Sequence, residues 1–308
     1  MRDTRFERKV GQVVNVAAVR NADLLIADAR LVTPGGVIEG GAAIRDGKFV
    51  AIGTADTLPA ADSRIDARGR LVFPGLVDPH VHLGGAFPYE QNLVTECLSA
   101  AAGGVTTLLQ YRRSPSTFFE TFPGELETNR QKMALDTAFH FIISSLEQAE
   151  GIPEYSARWG VRSFKLYMGG YAPGNPIGLV PVDDGVLFRA MELIRELGPY
   201  AYCMVHAENQ GLYLFLNDRA HHSGRVDLSA YALSHPPFIE EEAVARIVWL
   251  GELTRCPVYV VHTTDSPLRY GFDAFHLRPL LSYCESRKIS PAGSVVRLVI
   301  TRYSLSKV

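Results

Sequence analysis

The chain has 308 residues with 31 Lys+Arg against 33 Asp+Glu, so it lacks the basic surplus that a nucleic-acid footprint requires. At 47% hydrophobic and 21% charged it has a globular rather than a disordered composition, and no apolar run reaches the roughly 18 residues of a membrane span. Residues 1–21 begin charged, lack the apolar core of a secretory signal, and are expected to form a loose N-terminal extension. The four cysteines are scattered without a paired spacing, which fits a reducing, cytoplasmic setting.

Residues 22–70 carry short β-prone runs at 24–27, 31–33, 42–45 and 49–52. Gly35-Gly36, Gly40-Gly41 and Asp46-Gly47 punctuate them, as hairpin turns do, and predict a small β module. From residue 71 the texture changes to apolar strands alternating with helical stretches. Strands are expected at 71–77, 106–110, 138–143, 163–168, 202–205 and 258–261, and helices at 92–102, 185–197 and 239–253. Such alternation predicts a parallel sheet, and both an open doubly wound sheet and a (β/α)8 barrel satisfy it. The spacing of the six runs places a seventh strand at 295–301 and an eighth beyond Val308, so a barrel would be incomplete at its C-terminal end.

The chemistry gathers at the ends of these strands. His80-Val81-His82 puts two imidazoles on one side of an extended segment, where they can grip one metal ion. His206 and His262 each follow an apolar run directly. Lys165 lies inside one, where its charge would have to be desolvated. A neutral amine relieves that cost; so does reaction with carbon dioxide, which yields a carboxylate on a long stem able to bridge two ions. Divalent ions with nitrogen and oxygen ligands, zinc above all, suit His80, His82, Lys165, His206 and His262, and two such ions could share a nucleophilic hydroxide. His140 reads as a packed or supporting residue, and His221-His222 as an exposed loop.

The segments Pro74-Gly75-Leu76-Val77-Asp78-Pro79-His80-Val81-His82-Leu83, Ser163-Phe164-Lys165-Leu166-Tyr167-Met168, Val205-His206-Ala207-Glu208-Asn209 and Cys256-Pro257-Val258-Tyr259-Val260-Val261-His262 carry a resemblance. So does Tyr231-Ala232-Leu233-Ser234-His235-Pro236. With these motifs the chain resembles the amidohydrolase superfamily, in the branch of dihydropyrimidinases, hydantoinases, allantoinases and dihydroorotases, over roughly residues 22–263. The resemblance implies a metal-dependent TIM-type barrel over 71–263 beside a module, 22–70, that is half of a composite β-sandwich. It implies hydrolysis of a cyclic amide or ureide to an N-carbamoyl acid, with an allantoinase or a dihydroorotase as the alternative within the class. His80 and His82 would hold the more buried ion, carbamylated Lys165 would bridge, and His206 and His262 would hold the second. Tyr171 matches the tyrosine that polarises the substrate carbonyl, although Gly169-Gly170 shifts it by one position. Tyr167 is the runner-up, which strand alternation assigns to the core. A homo-oligomer would also be family-like.

The pattern departs from the family in two places. Gly84-Gly85 stands where dihydroorotases and many allantoinases carry an arginine or asparagine after the histidine pair, which favours a dihydropyrimidinase or hydantoinase type. Asp265 and Asp273 come too early to be the aspartate the family places after its eighth strand, and residues 264–308 carry no family motif. A C-terminally truncated, catalytically inactive relative or assembly partner is therefore the alternative expectation.

Overall fold

A computed structural model of the chain describes residues 21–85, 87–175, 178–225, 227–261 and 263. The expected extension, the seventh strand at 295–301, His262 and the segment 264–308 lie outside the described residues. The chain divides into two compact units, one through Leu76 and one from Val77.

The first unit is a four-stranded sheet of β1 (Ala22–Thr33), β2 (Gly36–Arg45), β3 (Lys48–Gly53) and β4 (Ala61–Val72), in the order β3-β2-β1-β4. Pro34-Gly35 and Asp46-Gly47 close the two hairpins. In the second, Asp46 and Gly47 both take positive φ, 51° and 67°, the twist that suits a two-residue hairpin turn. The two runs expected at 24–27 and 31–33 form one strand, β1, with a register shift around Asp28 at φ 49°. Alanines are buried in two separate clusters of this sheet, Ala22, Ala27 and Ala43 in one and Ala29, Ala42 and Ala67 in the other. The sequence reading misses β4. Its charges at Asp62, Arg64, Asp66, Arg68 and Arg70 leave no apolar run, because as an edge strand it draws its order from parallel backbone pairing with β1.

The second unit holds six strands: β5 (Leu76–Val81), β6 (Val105–Arg112), β7 (Asp136–Ile142), β8 (Ser163–Tyr167), β9 (Tyr202–His206) and β10 (Val258–Val260). They stand in the order β10-β9-β8-β7-β6-β5, with parallel pairing from β6 to β10. A doubly wound sheet reverses its strand order at a switch point; this one never does. With right-handed crossovers, a monotonic order sends every connecting helix to the same face. The result is a half-barrel, which settles the choice left open by the β/α alternation. The first strand is β5 rather than 71–77: Phe73-Pro74-Gly75 separates it from the end of β4, so His80 lies within the strand and His82 just beyond it.

The helices are α1 (Tyr89–Ala102), α2 (Phe118–Lys132), α3 (Leu146–Glu150), α4 (Ile152–Trp159), α5 (Asp184–Glu196), α6 (Gln210–His222), α7 (Leu228–Ser234) and α8 (Pro237–Thr254). No described helix is long and apolar enough to cross a membrane. Helix α5 shows how they form. Asp183 caps it by accepting from Val186 N at 2.9 Å, and Leu187, Ala190, Met191 and Ile194 make its buried stripe. Helix α2 forms despite Pro123, since Phe118 and Phe122 are fully buried against Phe141, with the Phe118 and Phe141 rings stacked at 3.9 Å. The same layer between sheet and helices takes Phe164, Leu166, Cys203 and Val205, the alternate residues of β8 and β9. The remaining strand residues, among them Tyr111, Ile142, Tyr167 and Met204, line the opposite face. That face carries the site.

Candidate metal centre

Strand alternation decides which side chains meet on the helix-free face. On β8, Phe164 and Leu166 point to the helices, so Lys165 and Tyr167 point away from them. On β9 the same parity leaves Met204 and His206, and register pairs Lys165 with Met204 and Tyr167 with His206. On β6 it leaves Tyr111, paired with His140 on β7. The Tyr111 ring is the hub, with its centre 4.4 Å from that of His80, 4.7 Å from His82 and 4.6 Å from His140.

His80 and His82 turn their Nε2 atoms to within 3.2 Å of each other. Zn–N bonds of about 2.0–2.1 Å put neighbouring atoms of a tetrahedral site roughly 3.3 Å apart, so this spacing fits two ligands of one ion. Burial, and then the Lys165 charge, hold both imidazoles down at about 4, so both are neutral at pH 7, as ligands must be. His82 is exposed as a whole residue, so water still reaches its ring. Among the described residues, no three histidine, cysteine or carboxylate groups converge as a ready metal cluster.

Lys165 is 1% exposed. Its Nζ lies 4.8 Å from the centre of the Tyr167 ring and 6.0 Å from that of Tyr111, and among the described residues no carboxylate pairs with it. Burial pushes the amine well below the ordinary lysine value. Its charge, when present, acts on His80, His82, His140 and His206 alike, which places all five groups within electrostatic reach of one another.

His206 ends β9, and its Nε2 lies 2.9 Å from Glu208 Oε2. Burial lowers the His206 pKa and the Glu208 hydrogen bond opposes that shift; a neutral imidazole here donates from Nε2, so Glu208 fixes its tautomer and orientation. Gly170 makes the approach possible: at φ 85°, a Cβ there would overlap Glu208 Oε2 and come within 3.0 Å of His206 Nε2. The Tyr171 ring centre is 5.3 Å from that of His206, and burial pushes its phenol up to about 12. Tyr167 is also near, at 5.4 Å, but it is buried beneath Lys165 whereas Tyr171 is half-buried.

His140 supports the site without joining it. Its Nε2 lies 3.0 Å from the carbonyl of Pro79, and its Nδ1 2.5 Å from Ser163 Oγ. A carbonyl only accepts, so Nε2 carries the proton and Nδ1 accepts from Ser163. Both nitrogens are thereby engaged. On the other side of the histidine pair, Arg112 Nη1 donates to the carbonyl of Leu83 at 2.8 Å. Arg112 is itself held by both oxygens of Glu125 at 2.8 Å and stacks 3.7 Å above the Tyr89 ring. The carbonyls flanking His80-Val81-His82 are thus clamped from β7 and from β6. The sequence reading passed over Tyr111, Arg112 and Glu125; the available signal was a second arginine at the end of an apolar strand. His221 and His222 close helix α6 rather than lying in a loop.

No family model matches the chain. It is similar to the D-hydantoinase of Ralstonia pickettii, 32% identical over 252 residues that span 79% of this chain and 52% of that protein. It is also similar to an allantoinase of Bacillus licheniformis, 30% identical over 250 residues, 79% of this chain and 54% of that protein. Among solved structures, the L-hydantoinase (dihydropyrimidinase) from Arthrobacter aurescens superposes with a TM-score of 0.72 at 26% identity, covering 90% of this chain and 58% of that one. The chain spans about half the length of the curated relatives it matches. Its strand order, its histidine pair and these likenesses agree: the chain belongs to the hydantoinase-like branch of the amidohydrolases.

Proposed function

We propose that the chain carries the metal-binding part of a hydrolase that opens cyclic amides of the dihydropyrimidine or hydantoin type to N-carbamoyl acids. The observation that supports this most is the gathering of a buried Lys165, which no described carboxylate pairs, with His80, His82 and His206 on one face of the half-barrel. A binding module would have no need to desolvate an amine among imidazoles.

In this reading His80, His82, His206, His262 and a carbamylated Lys165 would hold two divalent ions, with zinc as the matching metal. Bound ions would supply Lewis acidity and an activated water at neutral pH. The residues themselves do the rest. The Lys165 amine, its pKa lowered by burial, reacts in its uncharged form: it forms a bond to carbon dioxide and sheds a proton, giving an anionic carbamate. Tyr171 keeps its phenolic proton at pH 7 and donates a hydrogen bond to the oxygen that gains charge as the ring amide is attacked. Glu208 orients His206, while His140 and Arg112 fix the backbone on either side of the histidine pair. The described cysteines, Cys97, Cys203 and Cys256, are unpaired thiols, in keeping with a cytoplasmic setting, and a homo-oligomer is the expected assembly.

The test is metal analysis of the purified chain after dialysis against zinc, beside the H80A/H82A double variant and K165A. Bound zinc is expected in the wild type and lost in the double variant. Equal metal content in all three would remove the assignment.

A further inference from the structure

Tyr171 stands beyond the end of its strand. The ladder between β8 and β9 closes at Met168, whose N–H reaches the His206 carbonyl at 3.0 Å. Tyr171 follows three residues later, between Gly169-Gly170 and Pro173-Gly174. A glycine pair gives the backbone before it little stiffness of its own. A phenol that must meet a developing oxyanion needs close placement, because an error of about 1 Å can cost on the order of 100-fold in rate. That placement has to come from a neighbouring element.

The segment after β9 supplies it. A Cβ on Gly169 would overlap the Glu208 carbonyl and stand 2.6 Å from Gln210 N, so the glycine pair lies directly against residues 208–210. From there Gln210 Nε2 donates to the Tyr171 carbonyl at 2.8 Å. A carbonyl only accepts, which fixes the orientation of the Gln210 amide. Gln210 opens α6, and that end of the helix is anchored by Asn209. Its Oδ1 accepts from Leu212 N at 3.0 Å, its N–H donates to the Ile239 carbonyl at 2.9 Å, and its Nδ2 donates to Glu242 Oε2 at 2.5 Å. One turn along α6, the buried Tyr213 hydroxyl takes a hydrogen bond from the Ala172 backbone. The first turn of α6 therefore grips two consecutive residues, Tyr171 and Ala172. The same short segment begins with His206, so imidazole and phenol are set against each other through residues 206–210.

We infer that Gln210 is a positioning residue: by holding the Tyr171 carbonyl it sets where the phenol stands relative to His206, and so relative to the amide oxygen that gains charge. The inference rests on the cyclic-amide reading above and adds a residue to that site. Gln210 touches no reacting atom and acts through Tyr171 alone.

The experiment places 3-fluorotyrosine at position 171 and reads it by 19F NMR in the zinc-loaded chain, in the wild type, Q210A, Q210E and I194A. Q210E keeps the size of the side chain and loses the donor at neutral pH. Ile194 is fully buried in the helix layer, on the other side of the sheet from the cluster that packs Tyr171, so I194A serves as a destabilised comparison. The wild type and I194A should give one sharp resonance displaced from that of free fluorotyrosine. In Q210A and Q210E it should broaden and move toward the free value. Hydantoin ring opening by zinc-loaded chains with the natural tyrosine should show kcat lower by roughly 10- to 100-fold in Q210E, with KM and zinc content little changed, since the phenol acts on charge that exists only in the transition state. A wild-type resonance in Q210A and Q210E, or an equal change in I194A, would overturn the inference and leave the cyclic-amide reading standing. Absence of ring opening by the zinc-loaded wild type would overturn the cyclic-amide reading, while the fluorine signal still decides whether Gln210 holds Tyr171.

Discussion

Replacing Arg112 with methionine should destabilise the fold and loosen the histidine pair together. Arg112 is 7% exposed at its side chain, and Glu125, which it holds through two 2.8 Å contacts, is 24% exposed. Removing one partner of a buried ion pair costs about 3–5 kcal/mol, because a charge is left without compensation. Glu125 retains some access to water, which favours the lower end, about 3 kcal/mol. The Leu83 carbonyl also loses its 2.8 Å donor, a further loss of about 1 kcal/mol. The assay is urea denaturation of the metal-free chain, read at the transition midpoint. R112M should lose about 3–4 kcal/mol, and R112M/E125L should recover most of it, since no orphaned charge is left. Zinc affinity is the second reading. Leu83 directly follows His82, so affinity should fall in R112M and stay low in R112M/E125L, because restored packing does not restore the donor to the carbonyl. A double variant as unstable as the single one would refute the ion-pair argument. Zinc affinity at the wild-type level in both would refute the clamp.

Burial lowers the pKa of the Lys165 amine in the folded chain, so the unfolded chain takes up this proton more readily from the ordinary value of 10.5 downward. Stability of the metal-free wild type should therefore decline as pH falls from that value; K165M should lack this component, which denaturation curves at several pH values will show. His80 and His82 titrate near 4 when folded and 6.5 when unfolded, so they add a further loss of stability as pH falls through that window, absent from H80A/H82A in the same curves. G170A should cost more than about 1 kcal/mol, from its positive φ and from displacing Glu208, and should lower occupancy at the His206 ion in a metal titration. H140F leaves the Pro79 carbonyl and the Ser163 hydroxyl without their partner and should cost about 1–3 kcal/mol in urea, with weaker zinc binding.

How far the fold could be read ahead of the structure depended on what each element buries. Strands β6 to β10 sit between helices and the inner face, so their apolar runs were continuous and placed to within a residue or two. Strand β4 was invisible because its order comes from backbone pairing with β1, which no side-chain pattern records. Helix α2 was hidden by Pro123, whose local cost is offset by aromatic burial contributed from Phe141. The ligand candidates were legible for a physical reason: a lysine inside an apolar strand or a histidine at its end is a desolvation anomaly. The supporting residues were not. Arg112 reaches Leu83 across 29 positions and Glu125 across 13, and His140 reaches Pro79 across 61, distances that only the sheet order closes.

The central claim is that Lys165 serves as a carbamylated bridge between two ions rather than as an amine buried at a loss. Zinc-loaded chain equilibrated with 13C-labelled bicarbonate and examined by 13C NMR tests it directly. The account predicts one carbamate resonance, absent from K165A and from protein stripped of metal by a chelator. An unmodified Lys165 amine in chain that carries its full complement of zinc would contradict it.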